Sequence, residues 1–531
     1  MPWLALVGPE IEENLSLRYL ASSLERAGFG SEIIAFNREE DLPAALDAIL
    51  APAEPPLAVA LSLAFQWRAL DFLALALALR ERGYSGHVTA GGHFGTFAAI
   101  ELLRDFPELD SLCRHESEDL IVELARALRD GQPIADLPGL AGRDGQGQVA
   151  LAPLRTAPDL AGLAWPDRRG PVARCLAHGI AAMVASRGCY ARCAFCCIAA
   201  WHEQTSPGKR FRLRPVEDVA DEMAFLQRER GRDIFIFHDD NFFLPRPADS
   251  LERIDALAGA LGRRMARPFA TVVKARPNDV THQVFRAMRD RLGCIRVFLG
   301  VENDSAQGLS TLARRVDSSQ NHAAMQVLGD LGLYVCFNLL VFDPDTTVES
   351  LERNLAFMER FGDSPFNFGR VELYAGTPLL ERMQSEGRCQ GDYLGWDYAL
   401  ANPEIQRTFE LAMSCFFPRN FAAHALANRL MGTRFVVEVC RFFHPEAFRP
   451  EWLCEARALS RELARDSAAG LREIARFARS PGGEPASAAL VADLGGRLRR
   501  TEASVARRAF ALERAVQESV EVRSTEGKVT T

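Results

Sequence analysis

Residues 181–202 read AAMVASRGCYARCAFCCIAAWH. A short apolar run, AAMVAS, ends in a turn at Gly188. Cys189, Cys193 and Cys196 follow at C-x3-C-x2-C spacing, with Cys197 directly behind. A strand that stops at a glycine and passes into a thiol-bearing loop is the start of a strand–loop–helix unit. Such a loop can wrap three thiolates around one cuboidal iron–sulfur cluster and leave one iron open to a ligand. A zinc site is the alternative and needs a fourth protein ligand, which Cys197 or His202 would supply. Adjacent Cys196 and Cys197 suit one tetrahedral ion poorly, because neighbouring side chains diverge. Four unligated, structural thiols are the third reading.

Working outward, strand and helix signals alternate on both sides of this loop. Downstream, VEDVADEMAFLQRERG, DIFIFHDDNFF, FATVVKARP, CIRVFLGVEN, YVCFNLLVFD and NFGRVELYAGTP continue the pattern. Roughly six strand–helix repeats suit a full or partial (β/α) barrel, whose reactive residues sit where strands end and loops begin. Upstream, WLALVG, SEIIAF, LAVALSLAF and HVTAGG read as strands separated by helical segments. They imply a Rossmann-like parallel sheet that takes ligands at the carboxyl ends of its strands. The expected α/β organisation is a sheet domain over 1–131, a Gly-, Pro-, Asp- and Arg-rich linker over 132–174, a barrel over 175–390 and a mainly helical region over 391–531. The last stretch, from about residue 511, is expected to fray.

Bulk properties exclude several classes. The 531 residues carry a net charge of -8 with no basic run, so nucleic acid is not an expected partner. The start, MPWLALVGPEIEE, lacks a basic signal-peptide region. The apolar run from Phe72 to Leu79 falls well short of the ~20 residues that span a membrane. A cytoplasmic location is expected. Most of the twelve cysteines, such as Cys336 and Cys440, stand alone in apolar surroundings and read as small buried hydrophobes.

The motif RGCYARCAFC, with an aromatic residue before the third cysteine, resembles the signature of the radical S-adenosylmethionine (SAM) superfamily. FHDDNFF, VKARPN, GVENDSAQGLSTLAR and VELYAGTPLL resemble further segments of that family, in the same order, over about 181–390. The resemblance implies a 4Fe-4S cluster on Cys189, Cys193 and Cys196, with Cys197 a bystander packed behind the loop. It also implies SAM contacts from Phe195, Asp239, Asp240, Arg276, Glu302, Arg314 and Tyr374. The carboxylates suit an ammonium or ribose hydroxyls, and the arginines a carboxylate.

Over about 1–129, the segments LSLAF, TAGGHFGT and DSLCRHESEDLIVELA resemble the cobalamin-binding domain that precedes many radical SAM barrels. The resemblance places Ser62, Gly91, Gly92 and His93 against cobalamin. Two departures stand out. The D-x-H-x-x-G motif that gives cobalt an axial histidine is absent, its place reading GPEIEENLSL. The usual R-G-E-x-E reads RHESE, Arg114 to Glu118, with His115 in place of glycine.

Together these imply a cobalamin-dependent radical SAM methyltransferase. Such an enzyme takes hydrogen from an unactivated carbon of a small molecule through the 5′-deoxyadenosyl radical and transfers methyl from methylcobalamin. Cyclisation, ring contraction or oxidation with the same cofactors is the alternative, and a non-catalytic zinc- or cobalamin-binding module is the reading of another class. An external electron donor of the flavodoxin or ferredoxin type is the implied partner. The aromatics of Trp396 to Phe421 either line a substrate pocket or, as the preferred reading, pack a helix on the barrel.

Overall fold

The computed structural model describes residues 1–422, 424–480 and 483–529, the last six by backbone alone. Strands β1 (Trp3–Gly8), β2 (Gly30–Ala35), β3 (Ala58–Ser62), β4 (His87–Gly91) and β5 (Ser111–Cys113) pair in parallel in the order β2-β1-β3-β4-β5. Their runs are apolar on both faces because helices cover both sides, and Leu4 to Val7 of β1 are fully buried. The stretch expected as a linker is not all irregular. It adds β6 (Leu140–Arg143) and β7 (Val149–Leu151) antiparallel beyond β5. Strands this short, of which only β7 is at the sheet's edge, hold too few residues to show a clear alternation.

The second sheet begins with β8 (Arg174–Cys175) and β9 (His178–Met183). After a small ribbon of β10 (Ser186–Arg187) and β11 (Arg212–Leu213) come β12 (Arg232–Phe237), β13 (Ala270–Ala275), β14 (Cys294–Glu302), β15 (Tyr334–Phe342) and β16 (Phe366–Arg370). The order is β16-β15-β14-β13-β12-β9-β8, parallel from β9 to β16. The sheet curls but stays open, so of the two barrel forms expected it is the partial one. Along β14, Arg296, Phe298, Gly300 and Glu302 line the half-open lumen while Val297, Leu299 and Val301 pack under the outer helices.

The helical region closes the lumen from below. Met431, Phe435 and Val439 of the helix Leu426–Phe443 pack on Ile234, Val272, Ile295, Tyr334 and Cys336. Tyr334 Oη donates to the Met431 carbonyl at 2.8 Å. From the preceding helix, Pro403–Asn420, Phe416 meets Phe368 edge-on, the packing role preferred for these aromatics. The final helix, Glu484–Val529, carries helical backbone through the stretch expected to fray; residues 530 and 531 lie outside the described residues. Among the described residues no helix is long and apolar enough to cross a membrane.

The two sheets meet at their carboxyl edges. Glu13, just beyond β1, accepts from the Ala182 backbone N–H of β9 at 2.9 Å and pairs with Arg168 at 2.9 Å. Glu116, from the RHESE segment, pairs with Arg187 at 2.6 Å and with Arg212; Glu118 takes the other arm of Arg187. Trp201, on the helix Ile198–Thr205 behind the cysteines, lies between two histidines of the first domain, His93 at 4.7 Å and His115 at 5.1 Å between ring centroids.

This contact has a pH signature. Burial holds both rings neutral, moving His115 from 6.5 down to about 4 and His93 in the same direction. Between those values the unfolded chain binds protons that the folded chain refuses, so stability falls as pH drops from 6.5 toward 4. His202 runs the other way: its pKa is raised where Glu116 and Asp240 face it, so its contribution is complete in acid and lost as pH rises. The thermal midpoint is expected to fall across the acid window, and to fall less in His115→Asn. Equal falls in the two proteins would rule out His115 as a titrating group.

Candidate active site

The cysteine loop is held by the two aspartates after β12, which divide the work. Asp239, 1% exposed, accepts from the Ala185 backbone N–H at 3.0 Å and from the Ser186 hydroxyl. Its carboxylate thereby shapes the start of the loop. Asp240 accepts from the Gly188 N–H at 3.0 Å, faces His202 at 3.8 Å and keeps 32% of its side chain accessible. Gly188 is obligatory here: its φ is +85°, and a Cβ would fall 1.8 Å from the Arg210 carbonyl oxygen.

Cys193 is the buried centre of the loop. Arg276 donates to its Sγ at 3.1 Å and Arg314 at 3.2 Å. Cys189 and Cys196 are both electrostatic neighbours of Cys193, whereas Cys197 is a neighbour of Cys196, Asp240 and Tyr374. Burial pushes the Cys189 and Cys197 thiols up to about 11, and Cys196 in the same direction. Among the described residues no three His, Cys, Asp or Glu side chains converge closely enough for a single metal ion. His202, the possible fourth zinc ligand, is already held between Glu116 and Asp240.

The charges around Cys193 bear on the same question. Arg276 is 8% exposed and Arg314 4%. Their other partners are Asn278 and the carbonyls of Arg314 and Gly300; among the described residues neither guanidinium forms an ion pair with a carboxylate. Two buried cations with only an unpaired Glu302 nearby are costly, so the site suits a further negatively charged group. Glu302 stands beside them with φ +64°, at a bulge between Leu299 and Glu302. A Cβ on Gly300 would meet its Oε1 at 3.0 Å and Arg314 Nη2 at 3.4 Å, which explains the glycine two residues before the glutamate. Burial raises the Glu302 pKa against the pull of Arg314 and Arg276, and no hydrogen bond holds it.

Tyr374 is 37% exposed, at the turn whose Gly376 lies so close to the Phe97 ring that a Cβ would sit 2.4 Å from it. That turn therefore docks the barrel on the first domain. Phe195 packs partly against the barrel core. On the first domain, Gly92 has φ +112° and its Cβ would meet the Ala64 N at 2.8 Å; at Gly91 a Cβ would meet the Cys113 carbonyl at 3.1 Å. Ser62 ends β3 beside Gly91. Both glycines are therefore required by close packing within the first domain, at the carboxyl ends of β3 and β4. His93 leaves these strand ends toward Trp201. The loop after β1 supplies no histidine, and its Glu12 faces His238 at 3.3 Å. Sequence reasoning missed the roles of Glu12, Glu13 and Trp201, whose partners lie far along the chain.

Comparison with known proteins agrees with this arrangement. Residues 4–125 match the family described as the B12 binding domain. An uncharacterised methyltransferase of Pyrococcus horikoshii is 26% identical over 59% of this chain and 63% of its own. The hopanoid C-3 methylase of Methylococcus capsulatus is 28% identical over 64% of this chain and 63% of its own. An anaerobic magnesium-protoporphyrin IX monomethyl ester cyclase of Rubrivivax gelatinosus is 23% identical over 56% and 52%. The chain thus spans less than two thirds of the length of these curated relatives. Among solved structures, the cobalamin-dependent radical SAM enzyme OxsB, with aqua-cobalamin and SAM bound, superposes with a TM-score of 0.66 at 18% identity, over 100% of this chain and 81% of its own. The radical SAM methyltransferase TsrM of Kitasatospora setae gives 0.59 at 19% identity, over 73% and 76%. A B12-binding domain set edge to edge against a cysteine-loop half-barrel gives this chain the fold of the cobalamin-dependent radical SAM enzyme OxsB.

Proposed function

We propose that the chain is a cobalamin-dependent radical SAM methyltransferase that acts on an unactivated carbon of a small molecule, with electrons from an external flavodoxin- or ferredoxin-type donor. The observation that carries the reading is the pair of buried guanidiniums, without an ion-paired carboxylate among the described residues, that converge on Cys193. Cys189, Cys193 and Cys196 would hold a 4Fe-4S cluster. Arg276 and Arg314 are donors for the SAM carboxylate, while Glu302 and the outward-facing Asp240 are acceptors for its ammonium or ribose hydroxyls. Tyr374, on the turn that docks the domains, helps close the site to water. Ser62, Gly91 and Gly92 offer bare backbone to the cobalamin tail, and His93 stands at the same edge. When bound, these cofactors supply hydrogen abstraction and methyl delivery. Asp239 serves by holding the loop.

The second reading, cyclisation or oxidation without methyl transfer, is favoured by the likeness to the magnesium-protoporphyrin cyclase. With trideuteromethyl-SAM and source-cell extract as the supply of substrate, a product carrying the label is expected. Formation of 5′-deoxyadenosine with an unlabelled product would overturn methyl transfer in favour of the second reading.

The ligand assignment is tested separately. After anaerobic reconstitution, serine at Cys189, Cys193 or Cys196 is expected to remove nearly all of about four irons per chain, and serine at Cys197 to leave them. Wild-type protein that retains no more than about one iron per chain would support a non-catalytic module instead.

A further inference from the structure

The chain has 62 lysine and arginine residues, of which only Lys209, Lys274 and Lys528 are lysines. Lys274 lies on β13, and strand pairing fixes the direction it faces. It is paired with Phe298, and Phe298 with Cys336. Both of those belong to the apolar group closed by the helix Leu426–Phe443, so Lys274 faces the lumen. Val272, two residues earlier on the same face, is part of the floor. Arg276, two residues later, reaches Cys193. The rise of a strand puts Lys274 about 7 Å below Arg276.

Two residues farther along the strands, polar groups are incompletely paired. Asn338 and Asn367 are neighbours across β15 and β16, and each has a buried amide oxygen without a donor. Arg296 is already engaged, donating twice to Cys336 Sγ at 3.3 and 3.2 Å. Glu12 faces His238, and Asp240 is held by Gly188 and His202. Lys274 lies within the electrostatic reach of Glu12 and Asp240, yet it forms no ion pair or hydrogen bond with them or with any other described residue. A lysine normally carries its charge out to water or pairs it; this one is half-buried on a cavity wall.

We infer that Lys274 is the substrate-anchoring cation of the lumen, binding the carboxylate or phosphate of a small organic molecule. Asn338 and Asn367 accept hydrogen bonds from the same molecule, and the apolar floor takes its carbon skeleton. This rests on the proposed function only for the fate of the bound molecule, which lies beneath Cys193, Arg276 and Glu302. The compact ammonium, donating in three directions, suits a single oxyanion on a small ligand.

The test uses the full-length protein under anaerobic conditions with pyridoxal 5′-phosphate, an anionic aldehyde. Its aldehyde condenses with a lysine amine, releasing water, and borohydride reduces the imine to a stable amine that peptide mass mapping assigns. Labelling at Lys274 is expected, with about tenfold suppression by inorganic phosphate or by succinate and none at the exposed Lys209. The stronger competitor distinguishes a phosphorylated ligand from a carboxylic acid. By calorimetry, Lys274→Met should bind that competitor about tenfold more weakly, while Lys274→Arg retains binding. An unlabelled Lys274, labelling that neither anion suppresses, or unchanged binding in Lys274→Met would overturn the inference. Iron content and cleavage of SAM are read on the same preparations. Anion protection in a protein that loads no iron would refute the proposed reaction alone; iron loading and SAM cleavage without protection would refute the anion site alone.

Discussion

Two guanidiniums buried against one sulfur set the terms for the rest of this molecule. Arg276 comes from the end of β13 and Arg314 from beyond β14, and both reach Cys193 without a carboxylate between them. Such an arrangement is unfavourable unless the site receives negative charge and the surrounding structure holds the cations in place. The surroundings do so through backbone: the carbonyls of Arg314 and Gly300 fix the two side chains. Glu302 is kept near enough to attract them and too poorly placed to neutralise them. The unfavourable placement of the two charges is therefore supported by the surrounding barrel.

The domain contact follows a similar logic with the opposite sign. The first domain contributes carboxylates, Glu13, Glu116 and Glu118, and the barrel contributes Arg168, Arg187, Arg212 and the Ala182 N–H. These pairs are largely buried, so they fix orientation more than they add stability. Arg187 adjoins Gly188, at the root of the cysteine loop. The carboxylates that dock the domains thereby also set the position of that loop.

Much of this was legible in the sequence, for local reasons. The thiol spacing after a glycine-ended strand located the loop, and the short apolar runs alternating with helical segments located the sheets. What the chain order cannot show is direction. In FHDDNFF the two aspartates are equivalent as text; folding turns Asp239 inward to the Ala185 N–H and Asp240 outward. The loop GPEIEENLSL read as the place of a missing histidine, and the use of Glu13 came into view only with its partners Arg168, Ala182 and Arg232. Strands β6 and β7 were hidden because each is short, four and three residues long. Lys274 went unread within VKARPN because the neighbouring arginine carried the motif.

The helix that seats Met431, Phe435 and Val439 beneath the half-barrel also decides which end of it meets the first domain. With that base covered, the strand ends opposite it carry the contacts with the first domain, where Glu13 and Glu116 meet Arg168 and Arg187.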